Sequence, residues 1–83
     1  MSTTRYFNEQ VLRKRPYLSR DLCWSVLANP VRTDMQHDGR IRSWGWVTLP
    51  NEHKPRILRV VTLEDRATIH NAFIDRSFRE DAP

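Results

Sequence analysis

From Arg40 to Val47 the chain alternates without a break. Arg40, Arg42, Trp44 and Trp46 fall on one side of an extended strand, and Ile41, Ser43, Gly45 and Val47 on the other. A period of two is what a pleated strand imposes and what a helix cannot accommodate. A second run, Arg56 to Leu63, is rich in β-branched residues and long enough for a central strand. Before the first run, Val31, Thr33 and Met35 alternate with Arg32, Asp34 and Gln36, and Asp38-Gly39 follows as a pair suited to a tight turn. After the second, a turn at Glu64-Asp65-Arg66 leads into a last strand, Ala67 to Ile74. Four strands joined by short turns predict an antiparallel meander.

The N-terminal part reads as helix. Tyr6, Phe7, Val11 and Leu12 fall roughly on one face of a segment from Arg5 to Arg15, and Pro16 ends it because the residue before a proline is pushed out of the α region. Ser19 is a candidate N-cap, with Asp21 in the first turn where the helix dipole favours negative charge. Leu22, Cys23, Val26 and Leu27 then repeat at helical spacing until Asn29-Pro30 stops the helix. Such short helices do not stand alone in water, so they must pack on the sheet. The expected fold class is α+β: two N-terminal helices on a three- to four-stranded antiparallel sheet. Leu22, Val26, Leu27, Leu58, Val60 and Ile69 are expected in its core. One domain spans residues 5–79, with flexible termini at 1–4 and 80–83.

Size and composition narrow the function. A chain of 83 residues buries only roughly 60% of the surface its unfolded form exposes. With 39% hydrophobic and 10% aromatic residues it is too apolar for a disordered chain. No apolar run approaches the ~20 residues of a membrane span, and the first residues lead into no secretory signal. The single cysteine, Cys23, cannot form an internal disulfide, so a reducing, cytoplasmic setting is expected. It also excludes a cysteine-rich zinc cage, and His37, Asp38, Glu52 and His53 are too scattered for metal ligation. Neither metal nor cofactor is expected. Cys23 lies among core positions on a helix and is expected to be inert.

The formal charge is +4, and twelve of the fourteen basic residues are Arg, only Lys14 and Lys54 being Lys. Arg grips planar and phosphate groups bidentately and loses water more readily than Lys. An anionic partner is therefore favoured, with nucleic acid the leading class. The stripe Arg40, Arg42, Trp44 and Trp46 would make a phosphate-gripping and base-stacking face. It would equally suit a core in which the Trp rings lie under the helices, since Ile41, Gly45 and Val47 on the opposite face offer another core surface. Arg13-Lys14-Arg15 is the only run of three cations. It complements a helix dipole and can add to a phosphate-binding surface.

The last strand carries the one histidine expected within the sheet, His70, followed by Asn71, Asp75 and Arg76. A proton-transfer group beside a cation is what metal-free RNA cleavage needs: a base for the 2′-hydroxyl, and Arg for the pentavalent phosphate. A strand histidine is also commonly structural.

Several stretches resemble a known pattern: Phe-x-Glu-Gln-Val-Leu-Arg-Lys-Arg-Pro-Tyr-Leu from Phe7, Val-Leu-Ala-Asn-Pro from Val26, Gln-x-Asp-Gly-Arg-Ile-Arg-x-Trp-Gly from Gln36, Leu-Arg-Val-Val-Thr-Leu-Glu-Asp from Leu58, and Thr-Ile-His-Asn-Ala-Phe-Ile-Asp-Arg-x-Phe from Thr68. They resemble a family of small bacterial domains similar to BrnT-type and RelE-type toxins, whose helix-plus-antiparallel-sheet scaffold is shared with barnase-like and colicin-like ribonucleases. The resemblance implies a metal-independent RNA-cleaving toxin of a toxin–antitoxin pair, silenced by a cognate antitoxin protein. His70, Arg59, Arg76 and Asp75 would form its catalytic set. Arg40, Arg42, Trp44, Trp46, Arg13, Lys14 and Arg15 would bind nucleic acid. The chain lacks the long Lys-rich helix of many RelE-type members, which argues against ribosome-dependent action. The other expectation, from the residues alone, is a non-catalytic nucleic-acid- or protein-binding module on the same fold.

Overall fold

The structure is a computed structural model that describes residues 2–79. It is an α+β fold built on one five-stranded sheet. In chain order the elements are β1 (Ser2–Thr3), a π-helical turn (Phe7–Val11) continued by α1 (Leu12–Lys14), α2 (Arg20–Ala28), β2 (Arg32–Met35), β3 (Ile41–Val47), β4 (Arg56–Thr62) and β5 (Thr68–Ile74). Across the sheet the strands run β1-β5-β4-β3-β2. The four strands read from the sequence form the antiparallel meander, and β1 adds a fifth that pairs in parallel with β5. This corrects the expectation of a purely antiparallel sheet of three to four strands. Part of the 1–4 terminus belongs to that sheet, whereas residues 80–83 lie outside the described residues. A two-residue polar strand has no hydrophobic period to announce it, and its partners, Thr68 and Ile69, lie at the other end of the chain.

Local signals fix the helical part. Thr4 caps the π-turn, its Oγ1 accepting the Phe7 N–H at 3.1 Å. Leu12 N–H donates to Phe7 O, the wide closure of a π-turn. The first helix is thus a single π-turn followed by a single α-turn, with Phe7 and Val11 buried and Tyr6 exposed. It stops at Lys14, as Pro16 demands, with Arg15 already non-helical. Ser19 Oγ accepts the Leu22 N–H at 3.0 Å and opens α2, which ends before Asn29-Pro30.

Both helical segments pack on the same side of the sheet. A Cβ on Gly45 would lie 3.1 Å from Val26 Cγ1 and 3.3 Å from Val26 Cα, so a larger residue here would make α2 give way by a few tenths of an ångström. The covered face of β3 therefore carries Ile41, Ser43, Gly45 and Val47. Strand pairing aligns with it Leu58, Val60 and Thr62 of β4, and Ile69 and Ala72 of β5. Leu58, Val60, Ile69 and Ala72 are sealed from solvent together with Phe7, Cys23 and Val26. Leu22 and Leu27 pack against this core only partly buried. Among the described residues no helix is long and apolar enough to cross a membrane.

Candidate nucleic-acid interface

The other face carries Arg42, Trp44 and Trp46 on β3 and, by strand pairing, Ile57, Arg59 and Val61 on β4. No helix covers it. Cross-strand register aligns Arg32, Trp44, Arg59 and Phe73 as direct neighbours on β2, β3, β4 and β5. Strands stand ~4.8 Å apart, so cation and ring alternate within mutual reach. The Arg59 guanidinium lies 4.8 Å from the Phe73 ring centroid and 5.9 Å from that of Trp44. Arg15 extends the row, 6.0 Å from the Phe73 centroid. These are cation–π distances. Nothing in the local sequence distinguishes Arg32 and Phe73, because alternation assigns a residue to a face while register decides what stands beside it.

The cations of this face are not equivalent. Arg42 forms a two-pronged ion pair with Asp34, its cross-strand neighbour, at 2.6 and 3.0 Å. Arg40 stands 3.9 Å from Asp38. Arg59 has no carboxylate at ion-pair distance among the described residues, and its buried Nε has no hydrogen-bond partner among them. Arg15 and Arg76 share a groove of about 480 Å³ with Tyr17, Phe73, Arg56 and Glu52, where Glu52 engages Arg56 at 3.1 Å. Arg13 and Lys14 are exposed at the end of α1.

The two tryptophans differ as well. Trp44 is only 6% exposed, which corrects its expected role as an open stacking platform. Its Nε1 donates to Asp75 Oδ2 at 2.9 Å, and Phe78 stacks on it with centroids 5.6 Å apart. Trp46 is 53% exposed and is the ring available to a base. Asp75 also accepts from Ser77 N and Oγ at 3.0 and 2.7 Å. Burial pushes the Asp75 carboxyl up, but the bonds from Ser77 and Trp44 and the charge of Arg59 outweigh it and hold it below its ordinary value.

His70 occupies a different place from Asp75 and Arg76. Pairing jumps from Val61–Asn71 to Thr62–Ile69, so His70 sits at a bulge near the start of β5. Its Nδ1 is 3.0 Å from Thr4 Oγ1 and its ring stacks on Tyr6 with centroids 5.0 Å apart. It thereby fastens the chain between β1 and the π-turn to the sheet. Burial, then the charge of Arg40, hold its pKa below the ordinary value, while Asp38 pulls the other way. At ~3.3 Å per residue, Asp75 lies roughly 16 Å farther along the strand. The four residues of the expected catalytic set thus do not converge on one phosphate. Arg59 and Asp75 share the Trp44 region, and His70 stands apart, within range of the Arg40 charge.

Cys23 is buried on α2, and burial pushes its thiol up to about 12, so it stays protonated and inert. Among the described residues no group of three or more His, Cys, Asp or Glu side chains is placed to hold a metal ion. Compared with known proteins, the chain matches no family model, no curated protein and no solved structure.

Proposed function

We propose that the protein is a small RNA-binding module that holds single-stranded RNA on the uncovered face of its sheet. Arg59 carries this reading. Its guanidinium is held between two rings with no ion-pair carboxylate among the described residues. Asp75 acts on this cation only through space, without an ion pair, so a ligand that brings negative charge into contact with the partly desolvated guanidinium is favoured. The planar fork of Arg suits a phosphate. Arg15 and Arg76 add positive charge nearby, and Trp46 offers an exposed ring. Cations along a backbone path combined with a ring for base stacking is how single strands are bound without sequence preference.

Salt titration of a labelled single-stranded RNA tests the reading. Each phosphate neutralised contributes a slope of roughly 0.7 in log affinity against log salt. Arg59→Gln should weaken binding and flatten the slope by about that amount. Arg42→Gln should flatten it far less, because Asp34 already neutralises that cation. No binding at low salt, or an unchanged slope in Arg59→Gln, would overturn the proposal.

A second reading retains metal-independent cleavage on a RelE- or BrnT-type scaffold, in the cytoplasm and restrained by an antitoxin, with His70 as acid or base. The influence of Arg40 on His70 favours it, since a cation acts on the one imidazole of the sheet. Wild type and His70→Ala are incubated with total RNA. Intact RNA, or equal cutting by both, removes this reading.

A further inference from the structure

The segment after β5 folds back over the uncovered face. Asp75 turns the chain by accepting from Ser77 N and Oγ, and holds the Trp44 indole by accepting from Nε1. The turn delivers Phe78 onto Trp44, the two rings inclined by 29° with centroids 5.6 Å apart. The Arg32 guanidinium lies 5.0 Å from the Phe78 centroid. Phe78 thus has a ring on one side and a cation on another. Half-buried Phe78 is held by two groups, an indole and a guanidinium, that recognise any flat π-system.

We infer that Trp44 and Arg32 form a nucleobase-stacking subsite and that Phe78 is its built-in occupant, competing with RNA for it. The inference rests on the RNA-binding reading and deepens it. Trp44 lies in the same cross-strand row as Arg59, so a strand whose phosphate reaches Arg59 brings an adjacent base within reach of the Trp44 ring. A base that takes the place of Phe78 retains the stacking on Trp44 and the contact with Arg32. The exposed Trp46, next but one along β3, lies on the same face and can take a neighbouring base. The affinity of the free protein is therefore set below what the face itself provides, by the cost of lifting one phenyl ring.

Phe78 variants of the full chain test this with the labelled RNA. An aromatic pair contributes enough for a roughly two- to tenfold change in affinity. Phe78→Ala and Phe78→Leu should bind more tightly by about that factor, and Phe78→Trp, a stronger competitor, should bind more weakly. The gain should vanish on an abasic ribose-phosphate strand, which has nothing to stack. If Phe78→Ala does not fold, the Leu and Trp variants still carry the comparison. Wild type that binds RNA with the three variants unchanged, or ordered the opposite way, overturns the subsite and leaves the RNA reading standing. Binding that appears only in Phe78→Ala and Phe78→Leu supports the subsite as a latent one. Failure of every variant to bind overturns both.

Discussion

The two faces of one sheet, built from the same strands in the same register, have opposite chemistry. On the covered face Leu58, Val60, Ile69 and Ala72 meet Phe7, Val11 and Val26 and lose all or nearly all contact with water. On the uncovered face Arg32, Trp44, Arg59 and Phe73 alternate, and the half-buried Arg side chains lie beside the rings. Two short helical segments can cover only one side of a sheet this wide. Hydrophobic burial therefore takes the face that carries no charged side chain opposite the helices. The other face must be stable in water by itself, and Arg–aromatic contacts achieve that without removing its charge. A surface built this way is preorganised for an anionic, ring-bearing ligand. The proposed binding role therefore belongs to this face, and stability to the opposite one.

The contrast is sharpest at Leu58 and Trp46. Leu58→Ala deletes a fully buried side chain and should cost about 2–5 kcal/mol, a fall in Tm of at least ~10 °C for a chain of this size. Trp46→Ala should leave stability within about 0.5 kcal/mol, yet weaken RNA binding by roughly 1–3 kcal/mol through the lost stacking. Thermal unfolding and RNA titration of both variants would separate the faces. A large Tm loss in Trp46→Ala would break the division of labour.

Thr62 is an imperfection on the covered side. It is 1% exposed, and its Oγ1 has no hydrogen-bond partner among the described residues. An unpaired buried hydroxyl costs about 1–3 kcal/mol relative to a paired one. Thr62→Val keeps the shape and removes the polar atom, so it should raise stability by about 1 kcal/mol. Denaturant unfolding checks this, and a loss of stability would mean that the hydroxyl finds a partner in solution.

The smallest effect concerns pH, at the bulge where the N-terminal chain meets β5. Burial and the charge of Arg40 hold His70 below its ordinary 6.5, so the unfolded chain binds that proton more readily than the folded one. The stability tied to the neutral imidazole is therefore complete above pH 6.5 and is lost as the pH falls through the folded value. Wild type should lose Tm over that window, and His70→Gln should lose less of it. Identical profiles would show that the bond to Thr4 and the stack on Tyr6 do not sense the ring's charge.

Elements governed by neighbours in the chain are legible in the sequence. Pro16 and Pro30 end helical segments because proline geometry acts on the adjacent residue, and Ser19 opens α2 through a bond to a donor three residues on. The alternation in β3 assigns Arg42, Trp44 and Trp46 to one face because the pleat reverses every side chain. The candidate site is legible only as a composition of Arg and Trp. Its most telling contacts, Arg59 beside Phe73 and Phe78 on Trp44, join residues whose separation in sequence carries no periodic signal. Grouping His70 with Asp75 and Arg76 rests on nearness along the chain, and an extended strand turns such nearness into distance.

Backbone sterics and side-chain period, both short-ranged, are enough to dictate that four strands form, where both helical segments stop, and which residues of β2 and β3 share a side. They leave open which side the helices cover, that Ser2–Thr3 join the sheet as a parallel edge, that the bulge at His70 puts Ile69 and Ala72 on one side of β5, and that Trp44 is enclosed while Trp46 stays open. Each of these depends on register and on packing between distant segments, so it emerges only in the assembled fold. The free energy there comes from burying apolar area and matching charge across space, for which the order of residues along one strand carries no record.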